Sequence, residues 1–204
     1  SGTGYHEWSD INNIRTVFWV VRAASGNEGF ILADDNQYHF HDGEANFWHG
    51  SHTSANIRNG NLSVNGTRNL NGTTTSMVSK LANMAIVSLK TTGNIEASRF
   101  SKDRNDNGRR WSGDLGELLI YTSALTDDQI EDIEGYLALK WGLVDSLAHG
   151  HEHRVHNVFT TPVFTTTGKP ASIQIPADRN PTSWSASVLP SGLNINNSGI
   201  ISGS

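Results

Sequence analysis

A single segment of this chain, residues 126–142, carries the pattern of an amphipathic helix. Thr126 can cap the helix, and Gln129, three residues later, completes a capping box. The apolar residues that follow recur at spacings of three and four, and they are Ile130, Ile133, Leu137 and Trp141. Such a stripe lies against a core, so we predict one packed helix over residues 127–140, with Trp141 on its buried side. Gly142 is expected to end this helix.

The other apolar runs are short and rich in β-branched and aromatic residues, as strands are. Residues 16–22 (TVFWVVR) are apolar on both faces, which predicts a central strand. Residues 84–90 (MAIVSLK) and 114–121 (DLGELLIY) are the next strands. Residues 55–72 contain three Asn-Gly pairs and indicate a hairpin-rich meander, since Asn-Gly supplies the positive φ of tight turns. The predicted fold class is all-β.

Composition removes several classes of function. The net charge is -5 and the pI is near 5.9, so there is no basic surface for nucleic acid. The lack of any run of about 18 apolar residues predicts no membrane insertion. The chain has no cysteine, which excludes disulfides, thiolate nucleophiles and cysteine zinc sites.

The amino-acid composition changes after a histidine-rich connector, HGHEHRVH, at residues 149–156. Thr, Pro and Ser then dominate, with turns at residues 190–192 and 197–199. We predict two units, residues 1–156 and residues 157–204. An immunoglobulin-like sandwich needs about 7 strands, and the second unit carries roughly half of that number.

Residues 113–143 (GDLGELLIYTSALTDDQIEDIEGYLALKWGL) resemble the closing strand and helix of concanavalin A-like, laminin-G-like jelly rolls in large bacterial surface proteins. A weaker likeness extends over residues 5–150. The tail, with PSGL at residues 190–193 and GIISG at residues 199–203, resembles the first half of an immunoglobulin-like repeat. The resemblance implies a jelly-roll β-sandwich with one C-terminal packed α-helix, followed by a partial immunoglobulin-like β unit.

The same resemblance implies a function. Members of this group bind glycans or glycoproteins outside the cell, sometimes with calcium, and carry out no chemistry. We therefore expect a non-catalytic ligand-binding or adhesion module, extracellular or at the cell surface, with carbohydrate or glycoprotein as its partner and calcium as the one candidate cofactor. The incomplete second unit also predicts self-association through an unpaired strand edge. A purely structural spacer domain is the alternative.

The candidate ligand-binding residues lie in polar segments. Trp48 and Trp111 have rings on which the C–H faces of sugars can stack, and packing in the core is the alternative for both. Arg109 adds hydrogen-bond donors close to Trp111. His39 and His41 alternate with aromatic residues and so occupy the polar face of one strand.

Three acidic residues, Asp103, Asp106 and Asp114, supply the oxygen ligands that calcium prefers. Two simpler interpretations stand beside this one. Asp103 can pair with Arg104, and Asp114 can cap a turn.

A cupin-like metalloenzyme is a further alternative, because His39 and His41 are two apart on a strand and project to one side. The spacing departs from that family, since Glu44 follows His41 too soon and the companion motif is missing. The histidines of residues 149–156 form another metal-type cluster, for which a solvated linker is the alternative. Glycoside hydrolysis would need acids alternating along one strand, and the sequence contains no E-x-D-x-E run.

Overall fold

The computed structural model describes residues 4–24, 29, 31–35, 40, 46–68, 81–104, 110–154, 171–174, 192–198 and 200–203. The chain is mainly β with antiparallel sheets, which confirms the class predicted from its short apolar runs. It divides into two compact units, Ser1–His153 and Arg154–Ser204. In the described part of the chain, no helix combines the length and the apolar character needed to cross a membrane.

The first unit contains a five-stranded sheet with the strand order β3-β2-β4-β1-β5. Its strands are β1 (His6–Ala23), β2 (Asn61–Val64), β3 (Thr67–Arg68), β4 (Ala85–Phe100) and β5 (Gly113–Tyr121). β1 and β4 are long, with 18 and 16 residues, and they pair with each other along much of that length. The central position predicted for residues 16–22 is confirmed, because β1 lies between β4 and β5.

Alternation along β1 explains why its central run is apolar on both faces. Val17, Trp19 and Val21 belong to one buried cluster, whereas Phe18 and Val20 belong to another. Successive side chains of a strand point to opposite faces, so the two clusters cover the two sides of the sheet. Burial on both faces is what keeps polar residues out of this run.

Helix α2 (Asp127–Trp141) begins at the predicted capping box. Thr126 accepts the backbone N–H of Gln129 at 3.2 Å, and the Gln129 side chain accepts the N–H of Thr126 at 2.9 Å. The helix ends at Gly142, whose φ of 68° lies in the left-handed region that favours glycine. Both ends are therefore fixed by residues that the sequence identifies.

The apolar stripe of α2 covers one face of the sheet. Ile130 and Leu137 pack in the cluster that contains Phe18 and Val20 of β1. Ile130 and Leu137 of the stripe are buried as predicted and Ile133 is partly buried, but the prediction is wrong for Trp141, which is exposed. The last turn of the helix therefore extends beyond the core.

Residues 55–58 form one helical turn, α1 (Ala55–Arg58), where the sequence predicts part of a hairpin meander. Ser54 caps this turn by accepting the Asn56 N–H at 3.3 Å, and buried Ile57 anchors it in the core. One predicted hairpin is confirmed, because β2 and β3 pair around the Asn-Gly turn at residues 65–66, whereas the turn predicted at residues 71–72 lies outside the described residues.

The second unit contains a three-stranded antiparallel sheet with the order β6-β8-β7. Its strands are β6 (Ala171–Gln174), β7 (Leu193–Ile195) and β8 (Ile200–Gly203). Asn196 shapes the turn before β8, because its side-chain oxygen accepts the N–H groups of Ser198 and Ile200 at 2.9 and 3.0 Å.

Candidate ligand-binding surface

The two tryptophans predicted to contact a ligand lie in the core. Trp48 is 1% exposed, and its ring centroid is 6.2 Å from that of Trp19. Trp111 is 9% exposed and belongs to the same buried cluster. A buried ring offers no face to a sugar, so the structure favours the packing alternative for both residues.

Other predicted site residues fall outside the described residues, namely His39, His41, Glu44, Asp106 and Arg109. Their roles stay predictions. His49 follows His41 in the chain and is described. Its Nδ1 accepts the backbone N–H groups of Ser51 and His52, at 3.1 and 3.2 Å. This nitrogen holds a turn together and is therefore not available to a metal.

Arginines hold the described acids that were predicted to bind calcium. Asp103 is buried, and its two oxygens each lie 3.0 Å from a nitrogen of Arg104. Asp114 accepts from Nε of Arg22 at 2.7 Å, across the pair of strands β1 and β5. The ion-pair interpretation of Asp103 is confirmed. Asp114 forms a cross-strand pair in place of the expected turn cap.

A different group of acids, which we call the Asp34 cluster, brings three carboxylates together. It consists of Asp10 on β1, Glu96 on β4, and Asp34 in the segment of residues 31–35. One oxygen of each lies within 4.8 Å of the others. Asp34 is buried, Glu96 is half-buried and Asp10 is exposed. The sequence gives no signal of this cluster, because its members are far apart in the chain and stand in no metal-binding motif.

The Asp34 cluster concentrates negative charge. Burial raises the pKa of Glu96, and the nearby carboxylates of Asp34, Asp10 and Asp35 raise it further. A proton or a hard cation would relieve this repulsion, and an oxygen-only donor set suits calcium better than a transition metal. Of the described residues, Asp10, Asp34 and Glu96 are the ones whose ligand atoms lie close enough together to share one metal ion.

The described part of the histidine-rich connector is docked on α2. His151 is buried, its Nε2 lies 3.3 Å from Oε2 of Glu134, and its Nδ1 accepts the backbone N–H of His153 at 3.2 Å. Because Nδ1 accepts, the proton sits on Nε2 and is donated to Glu134. His153 in turn bonds to Asp132 at 3.0 Å. The solvated-linker interpretation is therefore wrong for His151, which is buried. His153 stays partly exposed, and its partner Asp132 is exposed.

The C-terminal half of α2 carries three large apolar side chains that are exposed. Trp141 is 38% exposed, Tyr136 is 54% exposed and Leu139 is 76% exposed. They are three of the four large hydrophobic residues that are exposed in the described part of the chain. The apolar stripe predicts a core position for Trp141, so the sequence gives no indication that this residue is exposed.

Trp141 is held in place although it is exposed. Its Nε1 donates to Oε2 of Glu117 on β5 at 2.8 Å, and a Cβ added to Gly116 would lie 3.0–3.2 Å from three atoms of its ring. Nζ of Lys140 lies 2.9 Å from the other oxygen of Glu117 and 5.5 Å from the ring centroid of Tyr136. We call Glu117, Tyr136, Lys140 and Trp141 the Trp141 platform.

The charges of the Trp141 platform stabilise each other. The hydrogen bond from Trp141 is the main cause that lowers the pKa of Glu117, and Lys140 lowers it further, against an opposing effect of burial. Hydrogen bonds with Glu117 and Tyr136 raise the pKa of Lys140. The platform therefore presents aromatic rings beside an ionised pair. Rings with polar neighbours are suited to sugars, which offer both C–H faces and hydroxyl groups.

The chain matches no family model, no curated protein and no solved structure. The functional inference therefore depends on the geometry of its own residues. Of the three large aromatic residues that are exposed in the described part of the chain, the Trp141 platform contains two, Tyr136 and Trp141.

Proposed function

We propose that this protein is a non-catalytic extracellular or cell-surface module that binds carbohydrate or glycoprotein in adhesion. The observation that carries the proposal is the position of Trp141, which is 38% exposed while its Nε1 is bonded to Glu117. Burying a large apolar side chain contributes about 1.5–3 kcal/mol. Trp141 is only partly buried and so contributes only part of this stabilisation, yet its hydrogen bond fixes its orientation. An exposed aromatic residue that is already ordered is suited to contact a ligand.

The proposed architecture is a jelly-roll β-sandwich for the first unit and a partial immunoglobulin-like β unit for the second. Support for the jelly roll comes from the antiparallel sheet and from the packing of α2 on it, directly after β5. This is the arrangement that the resemblance of residues 113–143 implies. Support for the second assignment comes from three antiparallel strands, one of which, β8, contains Ile200–Gly203.

A glycan array tests the proposed function. The wild type, Trp141→Ala and Leu139→Ala are each applied with calcium and again with a chelator. Leu139 is the matched control, since it is an exposed apolar residue of the same helix outside the platform. We expect the wild type and Leu139→Ala to bind the same glycans, and Trp141→Ala to lose about tenfold in affinity, which corresponds to one lost aromatic contact.

Other outcomes point to the alternatives. A wild type that binds no glycan under either condition would favour a structural spacer. Stoichiometric transition metal, retained through purification without a His tag, would favour the cupin-like alternative. Binding that needs calcium but survives Trp141→Ala would direct attention to the Asp34 cluster, where Glu96→Gln is the variant to compare.

A further inference from the structure

We propose that the Trp141 platform recognises neutral pyranose rings by stacking and discriminates against acidic sugars. This inference rests on the proposed function and adds the chemical class of the ligand. It follows from two properties of the platform, the pairing of its charges and the hydrogen bond that holds its indole, and from the net charge of the whole chain.

The charged groups of the platform are already paired with each other. Both oxygens of Glu117 are engaged, one by Nζ of Lys140 at 2.9 Å and one by Nε1 of Trp141 at 2.8 Å. Lys140 therefore has its counterion within the protein and offers no uncompensated positive charge to an anionic ligand. A carboxylated or sulfated sugar at this surface would have to compete with Glu117 for the ammonium group.

The indole is fixed along two of its edges. Its N–H is committed to Glu117, and the far side of the six-membered ring is in contact with Gly116, where no side chain intervenes. A ring that is already ordered loses little conformational entropy when a ligand stacks on it. Because the N–H is used within the protein, the indole has only carbon atoms to offer a ligand, and carbon atoms match the C–H face of a pyranose.

The overall charge also acts against acidic ligands. The chain has a net charge of -5, so an anionic glycan approaches an unfavourable field. Within the platform, Tyr136 adds apolar area rather than charge. A neutral glycan meets none of these penalties, and its affinity is expected to be nearly independent of salt.

The test is an array of neutral glycans that end in glucose, galactose or mannose, together with sialylated, uronate-terminated and sulfated glycans. The wild type is expected to bind neutral members, with affinities that change less than about twofold between about 50 and about 500 mM NaCl. Trp141→Ala should weaken this binding about tenfold, whereas Leu139→Ala should leave it unchanged.

Glu117→Gln provides the sharper variant, because the amide oxygen can still accept the indole N–H while the counterion of Lys140 is lost. The ratio of acidic-glycan binding to neutral-glycan binding should therefore increase relative to the wild type, because Lys140 becomes free to pair with an anionic ligand. Preference of the wild type for acidic glycans, or unchanged binding by Trp141→Ala, would overturn the inference while the proposed function stands. A wild type that binds no glycan would overturn both.

Discussion

The hydroxyl of Ser88 donates a hydrogen bond of 2.6 Å to Oε1 of Glu134, and this bond joins strand β4 to helix α2 inside the core. The other oxygen, Oε2, lies 3.3 Å from Nε2 of His151. Both oxygens of a carboxylate that is 1% exposed therefore have a donor. Burial of such a group is tolerated only when it is bonded in this way, so the network specifies how sheet, helix and connector fit together.

Removal of the Glu134 carboxylate should be strongly destabilising. Glu134→Ala leaves the buried Ser88 hydroxyl and the His151 N–H without their acceptor, and we expect the free energy of unfolding to fall by about 2–4 kcal/mol. Urea denaturation measures the difference. Asp132→Asn is the control, since it alters the exposed pair with His153 and should change stability by less than about 1 kcal/mol. Equal effects of the two substitutions would contradict this account.

Gly135 leaves room for the connector to reach the helix. A Cβ at this position would overlap Cβ, Cγ and Cδ2 of His153. Replacing glycine by alanine within an exposed helix usually stabilises by about 1 kcal/mol. Here we expect Gly135→Ala to lower the melting temperature, because His153 must be displaced.

The same substitution made in a His153→Gly variant tests whether His153 is the cause. His153→Gly removes the overlapping atoms, so Gly135→Ala should stabilise the protein when the two changes are combined. Thermal denaturation of the four proteins in the cycle measures the coupling. A stabilising effect of Gly135→Ala in the wild type would mean that His153 does not contact the helix as described.

The sequence predicts those parts of the fold that depend on residues close together in the chain. The capping box, the stop at Gly142 and the central run of β1 all belong to this kind. The length of β4 cannot be predicted in this way. Residues 91–100 (TTGNIEASRF) lack a continuous apolar pattern and yet pair with the first half of β1. Their strand conformation depends on a partner that is distant in the chain, and no local pattern reports it.

The candidate sites illustrate the same limit. Trp48 stands in a polar segment but is buried, because it packs against Trp19 of a distant strand. Trp141 stands in an apolar stripe but is exposed, because the core ends before the last turn of α2. The Asp34 cluster likewise exists only where β1, β4 and residues 31–35 meet. Which residues share a surface is therefore decided by packing that the spacing of residues does not encode.

The Asp34 cluster makes stability depend on pH. The pKa of Glu96 is raised above its ordinary value of 4.5, so the folded protein holds this proton more tightly than the unfolded chain does. Ionised Glu96 therefore destabilises the folded protein. This destabilisation is fully present above the folded pKa of Glu96 and disappears as the pH falls towards the ordinary value. We expect Glu96→Gln to stabilise the protein near neutral pH, by less than about 1 kcal/mol because Asp10 is exposed, and to give no gain near pH 4. Denaturant titrations at both pH values measure this, and an equal gain at both would rule out charge repulsion as the cause.

The Trp141 platform should respond to pH with the opposite sign. The pKa of Glu117 is lowered below its ordinary value of 4.5, chiefly because Trp141 donates a hydrogen bond to the carboxylate. The stabilising contribution is therefore present above the ordinary value and is lost as the pH falls through the folded pKa. We expect the indole N–H resonance of Trp141, assigned by comparison with Trp141→Phe, to hold its position on acidification to about pH 4.5 and to shift only below it. The same resonance should not titrate in Glu117→Gln, and a midpoint above the ordinary carboxyl value would show that Trp141 and Lys140 do not hold Glu117 in its ionised form.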